Sequence, residues 1–277
     1  MDYTLVESDG RRKATRVLAD TRMPLERFAF LASFDRKLQS LAAMAPEDWN
    51  YKYTESKCAL PILYSYIHYT FQRVQEENKI AYGEDATQGG KPTRIACFNT
   101  GLTTEYFDPI FAAFSESNSE DGDEPFFLRG FFTESQHPLT CFPRRPDPAN
   151  YFTDPADLIY DRRLSLVRNV EHIVERIERF PTHYRDNPRR LVNAVDIAIS
   201  RAEQRVIRNY KTAIPQYNRG RIQLLLPLCL DDPAVADVAL VIGKEGAVYK
   251  GYTVLTLDMA YNNARLLTRP DREWLIP

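Results

Sequence analysis

Cysteine and histidine are both scarce, with four of each in 277 residues. Cys58, Cys97, Cys141 and Cys229 stand far apart, most of them among apolar neighbours, with no C-x-x-C pair and no histidine read beside them at ligand spacing. They are expected to be reduced thiols, mostly in the core. His68, His137, His172 and His183 show neither H-x-H nor H-x-x-x-H spacing, which argues against a zinc site or a histidine-dyad phosphodiesterase. Long apolar runs are also missing. The longest, residues 224–230, falls far short of the roughly 20 residues that span a bilayer, and the first residues, MDYTLVESDGRRKATR, contain no apolar signal core. A cytoplasmic protein without a membrane partner is the expectation. No G-x-S-x-G elbow and no Rossmann fingerprint occurs. Gly89-Gly90-Lys91 fits no phosphate loop, because Pro92 follows the lysine where Ser or Thr should open a helix.

What is present is a chain 44% hydrophobic and 12% aromatic, ample for a packed core. Its 36 basic and 38 acidic side chains nearly cancel, so affinity for nucleic acid has to come from segregated charge. Acids crowd residues 116–124, and arginines dominate 162–221. The polar residues 1–22 read as a flexible lead-in, and 23–277 as a single α+β domain with a largely antiparallel sheet packed by several helices. Apolar spacing predicts one helix from Pro24 to just before Pro46 and a second from Pro61 to Glu77. KIAYG and RIACFNTG should pair as a hairpin, and Thr103 or Thr104 should cap a short helix through Phe114. PFFLRGFFTES reads as a strand and LVRNVEHIVERIERF as a helix reaching Pro181. A longer helix runs from Arg189 to about Tyr210. IQLLLPLCL, DVALVIG and VYKGYTVLTLDM are three core strands, and MAYNNARLL is a last strand or short helix.

The richest stretch for recognition is RVIRNYKTAIPQYNRGRIQLLLP. Arg205, Arg208, Lys211, Arg219 and Arg221 are cations, Asn209 and Gln216 are amides, and Tyr210 and Tyr217 are aromatic faces, a set suited to phosphates and bases. A solvated helix flank with paired arginines is the plainer alternative. Pro215 should end the helix, and Gly220 can supply a positive φ before the buried strand. A second cluster is LTLDMAYNNARLL. Asp258 is expected at a strand end, with Tyr261, Asn262, Asn263 and Arg265 following; the Asn pair suits base or ribose contacts and equally a turn. Asn99 and Thr100 precede the helix expected after Gly101, where an anion or an ordinary cap would sit. No nucleophile with a base beside it is visible. Hydrolysis of a phosphoester or phosphoanhydride would therefore rest on Asp258, or on Asp161 beside two arginines, with Lys211 and Arg208 offsetting charge; a divalent cation such as magnesium is compatible with this, and no dedicated metal site is assigned. The expected partner is a nucleotide or single-stranded RNA, and the alternative is a non-catalytic RNA-binding or protein-interaction module.

Taken together, WNYKY, CFNTGL, HIVERIERFP, RNYKTAIPQYNRGRIQLLLPL and LTLDMAYNNARLL resemble the domain of unknown function 3825 family over residues 23–275. The resemblance implies RNA association, because the family's domain is seen joined to cold-shock and other RNA-binding modules. It supplies no catalytic residue.

Overall fold

Pro24 opens a helix, as its fixed φ favours, but the helix ends within five residues. The computed structural model describes residues 21–47, 49, 59–86, 92–117, 124–218 and 220–268. Residues 1–20 of the expected lead-in, Cys58, the Gly89-Gly90-Lys91 tip, most of the acidic run and Arg219 lie outside the described residues. Instead of one helix from Pro24 there are α1 (Pro24–Phe28), a two-residue strand β1 (Ala29–Phe30) and α2 (Phe34–Met44), divided by Ser33 at φ +53°. The break lets Phe28 stack on Phe126 with 4.8 Å between ring centroids. The apolar spacing is the same on both sides of it, which is why the sequence reads as continuous. The second helix, α3 (Pro61–Glu76), is as predicted.

The first sheet contains β1, β2 (Ala81–Asp85), β3 (Thr93–Thr103), β4 (Pro109–Glu116) and β5 (Phe126–Thr133), in the order β1-β5-β4-β3-β2. The helix expected through Phe114 is absent, because that segment is β4. Thr104 does accept backbone N–H groups, from Tyr106 and Asp108, but it closes the β3–β4 turn. Both faces of β4 are buried, against α1 and α3 on one side and Leu139 and Phe142 on the other. A strand covered on both sides shows no period of two, and its apolar run cannot be told from a buried helix.

The second sheet contains β6 (Ser165–Val167), which is followed by the helices α4 (Val170–Ile173), α5 (Thr182–Arg185) and α6 (Pro188–Arg208). Then come β7 (Ile214–Asn218), β8 (Arg221–Leu228), β9 (Val238–Glu245), β10 (Val248–Leu255) and finally α7 (Leu257–Ala264). Its order is β6-β10-β9-β8-β7. The helix predicted to reach Pro181 divides into β6, α4 and a 3-10 turn, Ile177–Arg179. Asn169 caps α4 by accepting the His172 N–H, while β6 pairs in parallel with β10. Pro215 does not end the long helix, which stops at Arg208. It sits in β7, an edge strand, where its missing N–H costs no ladder bond. Asp258 accordingly lies in the first turn of α7 rather than on a strand.

Alternation along β8 joins the two sheets. Leu224, Leu226 and Leu228 pack under the apolar face of α6, formed by Leu191, Val195, Ala198 and Ala202. Leu225 and Cys229 turn the other way, into a core that also holds Phe71, Phe98 and Phe114. One α+β domain with two mostly antiparallel sheets results. Among the described residues no helix is long and apolar enough to cross a membrane.

Candidate functional site

The β7–β8 hairpin is where the stretch of residues 205–227 reaches a concave surface. Asn218 pairs with Arg221 at its tip, and Gly220 holds φ +81° there, a left-handed value that glycine adopts without strain. Side chains alternate along β7. Gln216 turns inward and is buried. Its Nε2 donates to Gln223 Oε1 at 2.9 Å, and its Oε1 accepts from Asn263 Nδ2 at 3.1 Å. Asn218 Nδ2 donates to the same Gln223 oxygen at 3.4 Å, so a chain of amides ties the hairpin to α7. Tyr217 takes the opposite side. Its ring meets Tyr151 edge-on at 5.0 Å, and the Arg73 guanidinium lies 5.5 Å from its centroid.

Three concavities adjoin around this hairpin. One of about 560 Å³ lies between α3 and the hairpin, against Tyr69, Gln72, Arg73, Glu76, Tyr217 and Asn263. The next, about 620 Å³, shares Arg73, Tyr217 and Gly220 with the first and continues past Tyr151, Arg221 and Lys244. The third, about 300 Å³, shares Asp157, Ile222 and Lys244 with the second and ends at Tyr160, Asp161 and Arg163. Their shared walls make one groove. Its charge is mixed, because Glu76, Asp154, Asp157 and Asp161 line it beside the cations. Arg73 is braced by Glu77 at 2.8 Å and donates to the Asn150 carbonyl. Arg163 grips Asp161 with two hydrogen bonds of 2.9 and 2.8 Å, which hold the Asp161 carboxyl down to about 2. That carboxylate stays ionised and paired.

Of the residues singled out in the sequence, Tyr217, Arg221, Asn263 and Asp161 line this groove, and Gln216 stands behind its wall. Residues 205–211 do not line it. Arg205 donates to Cys229 Sγ at 3.2 Å, and Asn209 caps the turn after α6 by accepting the Lys211 N–H. Arg208, Tyr210 and Lys211 are exposed at that end. Asp258 is half-buried and has no ion pair with another described residue. Tyr261 is buried and Asn262 half-buried, with the Asn262 Oδ1 lacking a described partner. No helix follows Asn99 and Thr100. Asn99 Oδ1 accepts the Gly101 N–H, and Thr100 Oγ1 donates to the Ile110 carbonyl, so both serve the irregularity in the β3–β4 ladder. Arg265 is buried. It makes a two-bond pair with Glu47 and lies 5.0 Å from the Trp49 ring and 4.8 Å from the Tyr66 ring.

A family model described as a domain of unknown function (DUF3825) matches residues 38–274. The chain belongs to the DUF3825 family. Neither the curated proteins nor the solved structures contain a match. Within this DUF3825 chain, two of the sequence blocks meet at the Arg265 guanidinium and a third joins them through Tyr66. Trp49 comes from WNYKY, Arg265 from LTLDMAYNNARLL, and Tyr66, which faces the same cation, donates its hydroxyl to the carbonyl of Thr100 in CFNTGL at 2.9 Å.

Sequence reasoning missed two sets of residues. Tyr69, Gln72, Arg73 and Glu76 form a polar edge of α3 at steps of three and four, a spacing visible on a helical wheel. The other set is Asp85, His137 and Cys141, whose nearest metal-ligating atoms all lie within 4.8 Å of one another. Asp85 ends β2 and is buried, while His137 and Cys141 come from the connection after β5 and are partly open. Asp85 Oδ2 lies 3.0 Å from His137 Nε2 and accepts from Arg129 Nη1 at 3.2 Å. Contrary to the sequence reading, a histidine does stand near a cysteine at ligand spacing, in His137-x-x-x-Cys141.

Proposed function

We propose that the groove around the β7–β8 hairpin binds single-stranded RNA or a nucleotide, without cleaving it. One observation carries this reading: aromatic faces and cations alternate along a single connected surface, with Tyr69, Arg73 and Tyr217 followed by Arg221 and Lys244. Single strands are held in this manner, with bases on rings and phosphates on cations. The acids in the groove limit the number of phosphates it can neutralise, so a short contact with a weak salt slope is expected. Hydrolysis by Asp258 with Arg208 and Lys211 finds less support, because none of the three lines the groove.

Fluorescence anisotropy with a labelled oligouridine, competed by nucleoside mono- and triphosphates over a salt series, tests the reading. Tyr217→Ala should weaken binding by about 1–3 kcal/mol, the loss of one stacked base. Arg221→Ala should lower the salt slope by about one phosphate. Absence of binding by either ligand class, or affinities unchanged in both variants, overturns the proposal. A loss in Arg208→Ala equal to that in Arg221→Ala would move the contact to the end of α6.

A further inference from the structure

We propose that Asp85, His137 and Cys141 form a binding site for a borderline divalent transition metal, zinc foremost. The three side chains supply carboxylate oxygen, imidazole nitrogen and sulfur, the donor types that zinc takes in proteins. Their separation fits. Ligand atoms 2.0–2.3 Å from a tetrahedral zinc stand about 3.2–3.7 Å apart, and here none is more than 4.8 Å from another. Rotation of the His137 and Cys141 side chains closes the remaining distance.

The backbone that carries these groups is fixed. Asp85 is paired with Thr93 at the end of the β2–β3 ladder. Cys141 ends a 3-10 turn, donating its N–H to the Pro138 carbonyl at 3.1 Å, and the turn is anchored by Leu139 and Phe142, both buried in the small core behind β3 and β4. Arg129 completes the surroundings. A ligating carboxylate is commonly held by an outer hydrogen bond, and a carboxylate has two oxygens, so one can serve the metal and one the guanidinium. The Cys141 thiol hydrogen-bonds Asp85; burial first, and then the charge of Asp85, push its pKa up, so the metal-free cluster carries a thiol proton that the ion would displace.

Three protein ligands with the His137 side facing solvent leave a fourth position for water or another small ligand, the composition of zinc sites that act on substrate. Sulfur and imidazole select against magnesium and calcium. The competing account is a purely internal network in which Asp85 pairs with Arg129 and His137.

Titration of the chelator-treated full chain with cobalt(II), followed by absorption, separates the two. The metal-site account expects saturable uptake with the visible bands of tetrahedral cobalt, a near-ultraviolet thiolate-to-cobalt transition, and displacement by zinc but not by magnesium. Cys141→Ser should abolish the thiolate transition, and His137→Gln should weaken cobalt binding by about tenfold or more. Asp85→Asn can fail to fold because Arg129 loses its partner, so the decision rests on the two partly exposed positions, each checked by circular dichroism. Absence of a thiolate transition at saturating cobalt, its persistence in Cys141→Ser, or equal affinity in His137→Gln overturns the site.

Discussion

His68 shows how a single side chain can set the acid response of this protein. Its ring lies 4.3 Å from Tyr64 and 5.7 Å from Phe34, and neither ring nitrogen has a hydrogen-bond partner among the described residues. Burial pushes its pKa down to about 4, against a smaller opposing effect of Glu26. The unfolded chain takes up this proton near pH 6.5, whereas the folded protein does not until near 4. Stability is therefore complete above 6.5 and falls through the window below it, by about 1.4 kcal/mol per pH unit. His68→Leu should remove that slope. Urea midpoints for both proteins at pH 7 and pH 5 check it, and an equal fall in the two would show that His68 is protonated within the fold. At this scale the sequence was least informative where partners are remote. Arg265 read as a member of a ligand-binding cluster, and its actual partner Glu47 is 218 positions away. The His137–Cys141 spacing was legible, but Asp85, brought alongside only by the sheet, was not.

Among the elements, the β9–β10 hairpin depends on one missing side chain. The Tyr252 ring lies across Gly243, where an added Cβ would come within 2.4 Å of Tyr252 Cε2, and the Tyr252 hydroxyl is held by Glu245 at 2.8 Å. Gly243→Ala should cost about 1–3 kcal/mol, as overpacking does. Adding Tyr252→Ala should recover most of that loss, so a double-mutant cycle by urea denaturation reads the contact directly, and strictly additive losses would refute it. Elements with one buried face were legible in the sequence, as with α6 and its stripe from Leu191 to Val206, because their spacing carries the signal. Elements buried on both faces or assembled from short pieces were not. β4 lost its alternation to burial, and the run read as one helix up to Pro181 holds β6 because β10 offers it a parallel edge.

For the whole molecule, the decisive feature is the core that draws Phe98 and Phe114 from one sheet and Leu225 and Val241 from the other. Each sheet loses part of its covering when the other is lost. Heating should thus give one calorimetric transition with matching calorimetric and van't Hoff enthalpies, and two resolved transitions would show the sheets to be independent. The sequence conveyed the α+β class and three of the late strands, but not β7 or the division into two sheets, which is decided by pairings between distant segments. The amide chain Gln216–Gln223–Asn263 behind the groove carries no formal charge. Ions that compete for a ligand's phosphates have no purchase on this support, and acidification leaves it unaltered. A titration in salt consequently weighs the contacts with the ligand while the frame that presents Tyr217 and Arg221 stays the same.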